Sequence, residues 1–208
     1  MNLPLLLRQL STLHLLMISV ALVSFGGFVS EGFKDRLILK PNRVARGQLH
    51  RLLTAGWLHG DFGHLAMNMF VLWMFATPVR RVLGDVLFLG VYVTAVPVAY
   101  LPTTFRYRNN PGYRSLGASG ATAAIMLSAI LLDATLKVGI LFLPFRVPGL
   151  VFGIGYILYS VWHSWDSVDN INHDAHFSGA LYGVLVTFLL EPKRVMLTIT
   201  VFRRMFGL

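Results

Sequence analysis

The sequence contains no cysteine and has few charged residues. Without cysteine the protein has no disulfide, no thiolate metal site and no cysteine nucleophile. Only 13% of its 208 residues are charged and 55% are hydrophobic, whereas about one quarter of the residues of an average soluble domain are charged. This composition excludes a disordered chain and argues against an ordinary water-soluble protein. We therefore expect a membrane protein.

Acidic residues are especially scarce. The chain has nine Asp and Glu residues but 18 Lys and Arg residues. The formal net charge is therefore +9, and the sequence pI is near 10.4. In a soluble protein this excess would suggest nucleic-acid binding. Here the basic residues lie between long apolar runs, so we interpret them as the flanks of membrane spans and expect no nucleic-acid partner.

Six apolar segments contain few charges, and each is near the length that crosses a hydrocarbon layer. They are residues 11–30, 62–79, 86–104, 118–136, 147–163 and 175–190. Lipid cannot satisfy exposed backbone groups, and no segment alternates like a barrel strand, so we expect helices. The first segment is long for a signal peptide and lacks a clear cleavage site, which favours a retained span. The sequence predicts an all-α membrane protein, a single domain over residues 1–208 with a bundle of six transmembrane helices.

The connecting segments differ in character. The long polar loop 31–61 has apolar positions of its own, including Leu49 and Trp57, so we expect it to fold against the bundle or to lie at the interface. Short turns are predicted at 83–85 and 137–146. The basic, partly apolar tail 191–208 is predicted to be amphipathic at a membrane surface.

Four polar residues stand out inside the predicted spans, where polar side chains usually face the protein interior. His64 and Asn68 are near the start of the second span and share a helix face, Ser119 starts the fourth, and His176 starts the sixth. These three spans run in the same direction, so their starts lie at similar depth on one side of the membrane. The four side chains can therefore converge.

This set suits a hydrolase. A serine hydroxyl becomes a nucleophile when a histidine takes its proton, and an oxyanion needs donors such as backbone N–H, Asn or His groups. Each feature also has a simpler interpretation: small residues at 117–121 and at Gly179 and Gly183 are typical of helix packing, and a single histidine is often a satisfied polar residue. The four residues together, at matching depth, favour the catalytic interpretation.

The order of these motifs resembles the rhomboid family of intramembrane serine proteases, from Gly47 to about Leu190. The matching motifs are Gly47-Gln48-Leu49-His50-Arg51-Leu52-Leu53-Thr54 with Leu58-His59-Gly60, His59-x4-His64-x3-Asn68, Gly117-x-Ser119-Gly120, and Ala175-His176-x-x-Gly179-x-x-x-Gly183. The motifs are weak singly and specific in this order on the predicted helices.

The resemblance implies a catalytic dyad of Ser119 and His176 with no acidic third member. It implies an oxyanion hole formed by His64, Asn68 and the Ser119 backbone N–H. Structural support is implied for His59, Arg51, Gly117, Gly120, Gly179 and Gly183. Substrates in the family are transmembrane helices cleaved near the non-cytoplasmic face, and no cofactor or metal is needed.

The sequence departs from the family pattern at three places. His50 stands where the family usually has Trp before Arg, and Arg80-Arg81-Val82 replaces the usual Glu-x-Arg after the second helix. Ala123 stands four residues after the serine, where the family commonly has a Tyr or Phe that packs on the catalytic histidine. These departures leave open how the second helix is anchored and what orients His176.

Charge does not determine the orientation, because the family arrangement puts nine of the 18 basic residues on each side of the membrane. The prediction that both termini are cytoplasmic therefore rests on the resemblance. We expect a multi-pass protein of a bacterial plasma membrane.

Two other functions are compatible with parts of the sequence. The departures at Ala123 and after the second helix suit a catalytically weak or inactive relative that binds transmembrane helices. A haem-binding or transport bundle could use His14, His64 and His176, although only two of these lie at matching depth. A zinc protease lacks its His-Glu-x-x-His motif, and an aspartyl protease would have only Asp133 within the bundle.

Overall fold

The computed structural model describes residues 11–139, 144–166 and 172–207, and these are predominantly helical. Arg8, which precedes the first predicted span, lies outside the described residues. The helices are α1 Thr12–Val29, α2 Glu31–Leu37, α3 Pro41–Val44, α4 Arg51–Thr54, α5 Phe62–Tyr107, α6 Ser119–Leu132, α7 Gly149–Asp166, α8 His173–Leu190 and α9 Pro192–Met205, with a 3-10 turn at Ala55–Trp57.

Helix α5 contains the second and third predicted spans and is interrupted at Gly84. This residue has φ of 77° and ψ of 169°, a conformation that glycine adopts without a steric penalty. Asn68, near the start of α5, and Tyr100, near its end, both bond to the start of α6 or the loop before it. Because both ends of α5 reach the same end of α6, the chain folds back at Gly84.

The structure supports part of the prediction of six membrane spans. A helix lies within or across each predicted segment, but within the described ranges only α1 and α5 are long and apolar enough to pass as membrane spans, and α6 is a shorter apolar helix. The membrane character of the chain therefore has support from α1 and α5. The count of six crossings stays a prediction.

A short antiparallel hairpin stands where the sequence predicted only a turn at 137–146. Strand β1 Lys137–Gly139 pairs with β2 Arg146–Pro148, and Val138 lies opposite Val147. The fold is therefore not all-α throughout. The physical reason is that two β-branched residues form a cross-strand pair, and Val138 is buried in the hydrophobic core.

Helix α6 is the centre of the molecule. Every residue of α6 after Ser119 is buried, and α5 and α8 pack against it. A Cβ at Gly179 would collide with the carbonyl oxygen of Gly120, and a Cβ at Gly183 with that of Ala124. The missing side chains thus let α6 and α8 lie in backbone contact, as small residues do between membrane helices.

An ion pair fixes the break in α5. The Asp85 carboxylate accepts from Arg80 Nε at 2.6 Å and from Thr12 Oγ1 at 2.9 Å. This contact joins the start of α1 to the junction between the two halves of α5. It provides an anchor where the usual Glu-x-Arg pattern is missing.

The loop 31–61 folds against the bundle, one of the two expected arrangements. Arg51 is only 7% exposed and donates to the carbonyl oxygens of Asp35 and Ile38, both at 2.8 Å. Trp57 Nε1 donates to Ser19 Oγ on α1 at 3.1 Å. The buried guanidinium holds the short helices of the loop together, and the indole attaches the loop to α1.

The basic tail forms α9, which packs on the far end of α6. Val195 and Thr198 are buried, and Thr198 Oγ1 donates to the carbonyl oxygen of Leu131 at 2.9 Å. Basic residues such as Lys193 and Arg204 remain exposed on the outer side. Binding of this helix to a membrane surface stays a prediction.

Candidate active site

Ser119 and His176 are within hydrogen-bond distance. Ser119 is the first residue of α6 and His176 lies in the first turn of α8. The serine Oγ is 2.7 Å from His176 Nε2, and the pair is partly buried. The backbone contact at Gly179 and Gly120 brings the two helix starts this close. A hydroxyl and an imidazole at this distance can exchange a proton directly.

Two rings flank the His176 imidazole. The Tyr156 ring on α7 is stacked at a centroid distance of 6.4 Å and an interplanar angle of 19°. The His173 ring meets it edge-on at 5.8 Å. Ala123 is buried and contributes no ring. Tyr156 thus presents an aromatic face to the histidine from a different helix, and the spacing of the sequence did not reveal it.

His64 and Asn68 lie on one face of α5, one turn apart. Asn68 Nδ2 donates to the His64 carbonyl oxygen at 3.0 Å, and Asn68 Oδ1 accepts from Thr122 Oγ1 at 3.1 Å. An amide nitrogen has two hydrogens, and the bond to His64 uses one. Thr122 therefore fixes the orientation of the Asn68 amide from α6, a contact that the sequence analysis missed.

Because Gly117 has no side chain, the His64 ring has room to lie close to the serine. A Cβ at this position would lie 2.9 Å from His64 Cε1 and 3.8 Å from Ser119 Oγ. Its φ of +125° is itself a conformation that other residues rarely adopt. Both the backbone and the His64 ring therefore require glycine here.

His59 is fully buried and joins three parts of the structure. Its Nε2 accepts from the Ala118 N–H at 3.4 Å, so Nδ1 carries the proton and donates to Ser24 Oγ at 2.8 Å. Ser24 in turn donates to the Trp57 carbonyl oxygen at 2.9 Å. Burial lowers the pKa of His59 to about 3, which agrees with a neutral ring that accepts at one nitrogen and donates at the other.

The loop before Ser119 is held by hydrogen bonds to its backbone. Ser115 and Leu39 exchange two backbone bonds of 3.0 and 3.1 Å. The Gly117 N–H donates to the Ala55 carbonyl oxygen at 3.0 Å, and Tyr100 Oη donates to the Gly117 carbonyl oxygen at 2.8 Å. The loop 31–61 and the end of α5 thus fix the path of the chain into α6.

The start of α6 has no side-chain cap. Ala118 occupies the cap position and provides no side-chain acceptor for the first N–H groups. Such groups carry partial positive charge and bind anions at helix starts. Ser119 therefore lies at a helix start whose first backbone N–H groups have no side-chain acceptor, and the His64 ring lies nearby.

In the described part of the chain, no group of three or more His, Cys, Asp or Glu side chains is placed to hold a metal ion. His14 is the third histidine that a haem-binding bundle could use. Its Nδ1 lies 3.0 Å from Ser11 Oγ at the start of α1.

The structure brings together Ser119, His176, His64 and Asn68, the four residues selected from the sequence. His59 adjoins them, with its ring 4.9 Å from that of His64. Arg51 lies apart, within the loop 31–61. The contributions of Tyr100, Thr122 and Tyr156 were not anticipated, because they come from span side chains with no characteristic spacing.

The chain is similar to a known family and to several of its members. The family model described as Rhomboid domain matches residues 46–193. RHOMBOID-like protein 12, mitochondrial, of Arabidopsis thaliana is 33% identical over 184 residues, which are 80% of this chain and 54% of that protein. Presenilin-associated rhomboid-like protein, mitochondrial, of Rattus norvegicus is 31% identical over 64% of this chain and 36% of that protein.

A bacterial rhomboid protein is also similar. YdcA of Bacillus subtilis (strain 168) is 32% identical over 155 residues, which are 73% of this chain and 72% of that protein. The chain spans about half of the Arabidopsis relative and about a third of the rat relative.

Proposed function

This chain belongs to the rhomboid family, and on that premise we propose that it is an intramembrane serine endopeptidase. The observation that carries the proposal is the 2.7 Å distance between Ser119 Oγ and His176 Nε2. These residues come from two helices and stand 57 positions apart in the sequence. Their contact is the one that a serine nucleophile and its general base require.

The reaction has two halves. His176 takes the proton of Ser119 while Oγ attacks the carbonyl carbon of the scissile peptide bond, and the carbonyl electrons move to oxygen. The protonated His176 then donates to the leaving amine, which breaks the C–N bond and leaves an acyl group on Ser119. In the second half, His176 takes a proton from water, and the resulting hydroxide attacks the ester. The proton returns to Ser119 as the acid product leaves.

The oxyanion formed in each half is stabilised by preorganised donors. They are the Ser119 backbone N–H, the amide of Asn68 and the ring of His64. Thr122 holds the Asn68 amide and Gly117 leaves space for the His64 ring. Donors that are already oriented cost no rearrangement when the charge develops, and losing one such donor typically costs about 10²- to 10³-fold in rate.

The dyad has no acidic third member in this proposal. Asp174, two residues before the histidine, is bound by Arg106 at 3.0 and 3.1 Å. Orientation of His176 comes instead from the Tyr156 and His173 rings. These two rings take the place of the aromatic residue that is missing at Ala123.

A non-catalytic relative that binds transmembrane helices is the weaker alternative. The sequence features in its favour are the missing ring at Ala123 and the missing Glu-x-Arg pattern after the second span. Tyr156 provides a ring next to His176, and the Arg80–Asp85 pair anchors α5. Both contacts count against this alternative.

The substrates in this proposal are transmembrane helices cleaved near the non-cytoplasmic face, and both termini of the chain are cytoplasmic. A bacterial plasma membrane is the proposed location. Of the three relatives described, two are mitochondrial by name and one is bacterial, so the similarity does not support a bacterial plasma membrane over a mitochondrial one.

A fluorophosphonate probe tests the nucleophile directly. The full chain in detergent is expected to be labelled on Ser119, located by peptide mass spectrometry, because His176 activates that hydroxyl. The Ser119→Ala variant should not react, and the control Ser128→Ala, which changes a buried serine further along α6, should react normally. Absence of labelling in the folded wild type would favour the non-catalytic alternative.

A further inference from the structure

The side chain of Asn172 lies where three segments of the site meet. Asn172 directly precedes α8, and its Oδ1 accepts from the Ala175 N–H at 3.0 Å. The same oxygen accepts from Thr103 Oγ1 near the end of α5 at 2.8 Å. Its Nδ2 donates to Ser115 Oγ at 2.9 Å. One amide thus contacts the helix of the base, the end of α5 and the loop of the nucleophile.

These contacts lie close to both members of the dyad. Ser115 is four residues before Ser119, and Asn172 is four residues before His176. The Ser115 backbone is fixed by its pair of bonds to Leu39. The bond from Asn172 to Ser115 therefore connects the start of α8 to a loop that is held in place on its other side.

Capping alone does not explain this amide. A carboxylate or hydroxyl at the cap position would accept the Ala175 N–H as well. An amide accepts with its oxygen and donates with its nitrogen at the same time, and all of the described bonds use this property. Its donor points away from α8, toward the segment that carries Ser119.

We propose that Asn172 is a positioning residue that holds the start of the His176 helix in register with the Ser119 loop through its bond to Ser115. The role rests on the proposed function, because it is defined by the rate of the Ser119–His176 dyad. Small displacements of reacting groups are costly: a shift of about 1 Å can reduce a rate about 100-fold.

The test compares Asn172→Ala, Ser115→Ala and the double variant in the full chain, with cleavage kinetics, fluorophosphonate labelling rate and thermal unfolding as readouts. Ser115→Ala keeps the cap bond and the Thr103 bond, so it removes the connection while preserving the helix start. We expect it to lower kcat and the labelling rate about 10-fold, with KM and the unfolding midpoint little changed. The double variant should have the same kcat as Asn172→Ala, because both changes remove one shared bond.

The matched control is Ser30→Ala, which removes the side-chain cap of α2 away from the dyad and should leave kcat unchanged. Wild-type kcat in Ser115→Ala, or losses that multiply in the double variant, would overturn the positioning role and leave the proposed function intact. If Asn172→Ala does not fold, the kcat and the labelling rate of Ser115→Ala alone decide whether Asn172 has the positioning role. An inactive, unlabelled wild type would overturn the proposed function and this role with it.

Discussion

The loop that leads into α6 is held mainly by hydrogen bonds, whereas α6 itself is held mainly by close packing. This loop receives bonds from the loop 31–61, from Tyr100 and from Asn172. Further along, buried apolar side chains surround α6, and Gly183 brings α8 against its backbone. Hydrogen bonds depend strongly on direction, so the polar end can hold reacting groups in place while the packed end supplies stability.

The largest expected effect comes from the packed end. Gly183→Val should destabilise the protein by about 3 kcal/mol or more, because the added Cβ meets the backbone of Ala124 and has no flexible neighbour to displace. Thermal unfolding in detergent measures this loss. The control Gly90→Ala adds a Cβ with nothing within 4 Å and should leave stability near the wild type. Equal stability of the two variants would contradict the packing account.

A second variant tests the polar end. Gly117→Ala should lower kcat about 100-fold, because its Cβ displaces the His64 ring beside Ser119. The matched control is Gly47→Ala, at a φ of +95° with nothing within 4 Å, which introduces backbone strain without touching the site. Cleavage kinetics and unfolding midpoints of both variants separate strain from displacement. Similar kcat values for the two variants would show that His64 does not need its observed position.

The third prediction is a pH dependence of stability that arises from His59. Its pKa in the folded protein is lowered to about 3 by burial, whereas in the unfolded chain it is about 6.5. Between these values the unfolded state binds the proton and the folded state does not, so stability falls as the pH drops from 6.5 toward 3. The unfolding midpoint of His59→Gln should decline less than that of the wild type between pH 7 and pH 4. Parallel declines would rule out this contribution.

The sequence located the helical regions because long apolar runs have few structural alternatives in a membrane. It did not reveal the short helices in loop 31–61, since helices of four to seven residues have too few turns for a periodic pattern. Their arrangement depends on the buried Arg51, which donates to backbone carbonyls 13 and 16 positions away. The hairpin at Val138 was missed for a related reason, because three-residue strands carry little pattern.

Within the site, the residues with fixed spacing could be predicted and those defined by packing could not. His64 and Asn68 share a helix face by their spacing of four, and Ser119 and His176 begin predicted spans. Tyr156 and Asn172 depend on how α7 and α8 approach the serine. Asn172 carried one local signal, an Asn before a helix with an acidic first turn, but its bond to Ser115 is visible only in three dimensions.

The most direct test of the central proposal is cleavage of a transmembrane substrate by the full chain in lipid vesicles. The wild type should cut a single-span substrate within or at the edge of its membrane segment, as read by mass spectrometry of the two products. Ser119→Ala and His176→Ala should each lower the rate by at least about 10³-fold while keeping the wild-type unfolding midpoint. Cleavage by Ser119→Ala at the wild-type rate would contradict the account.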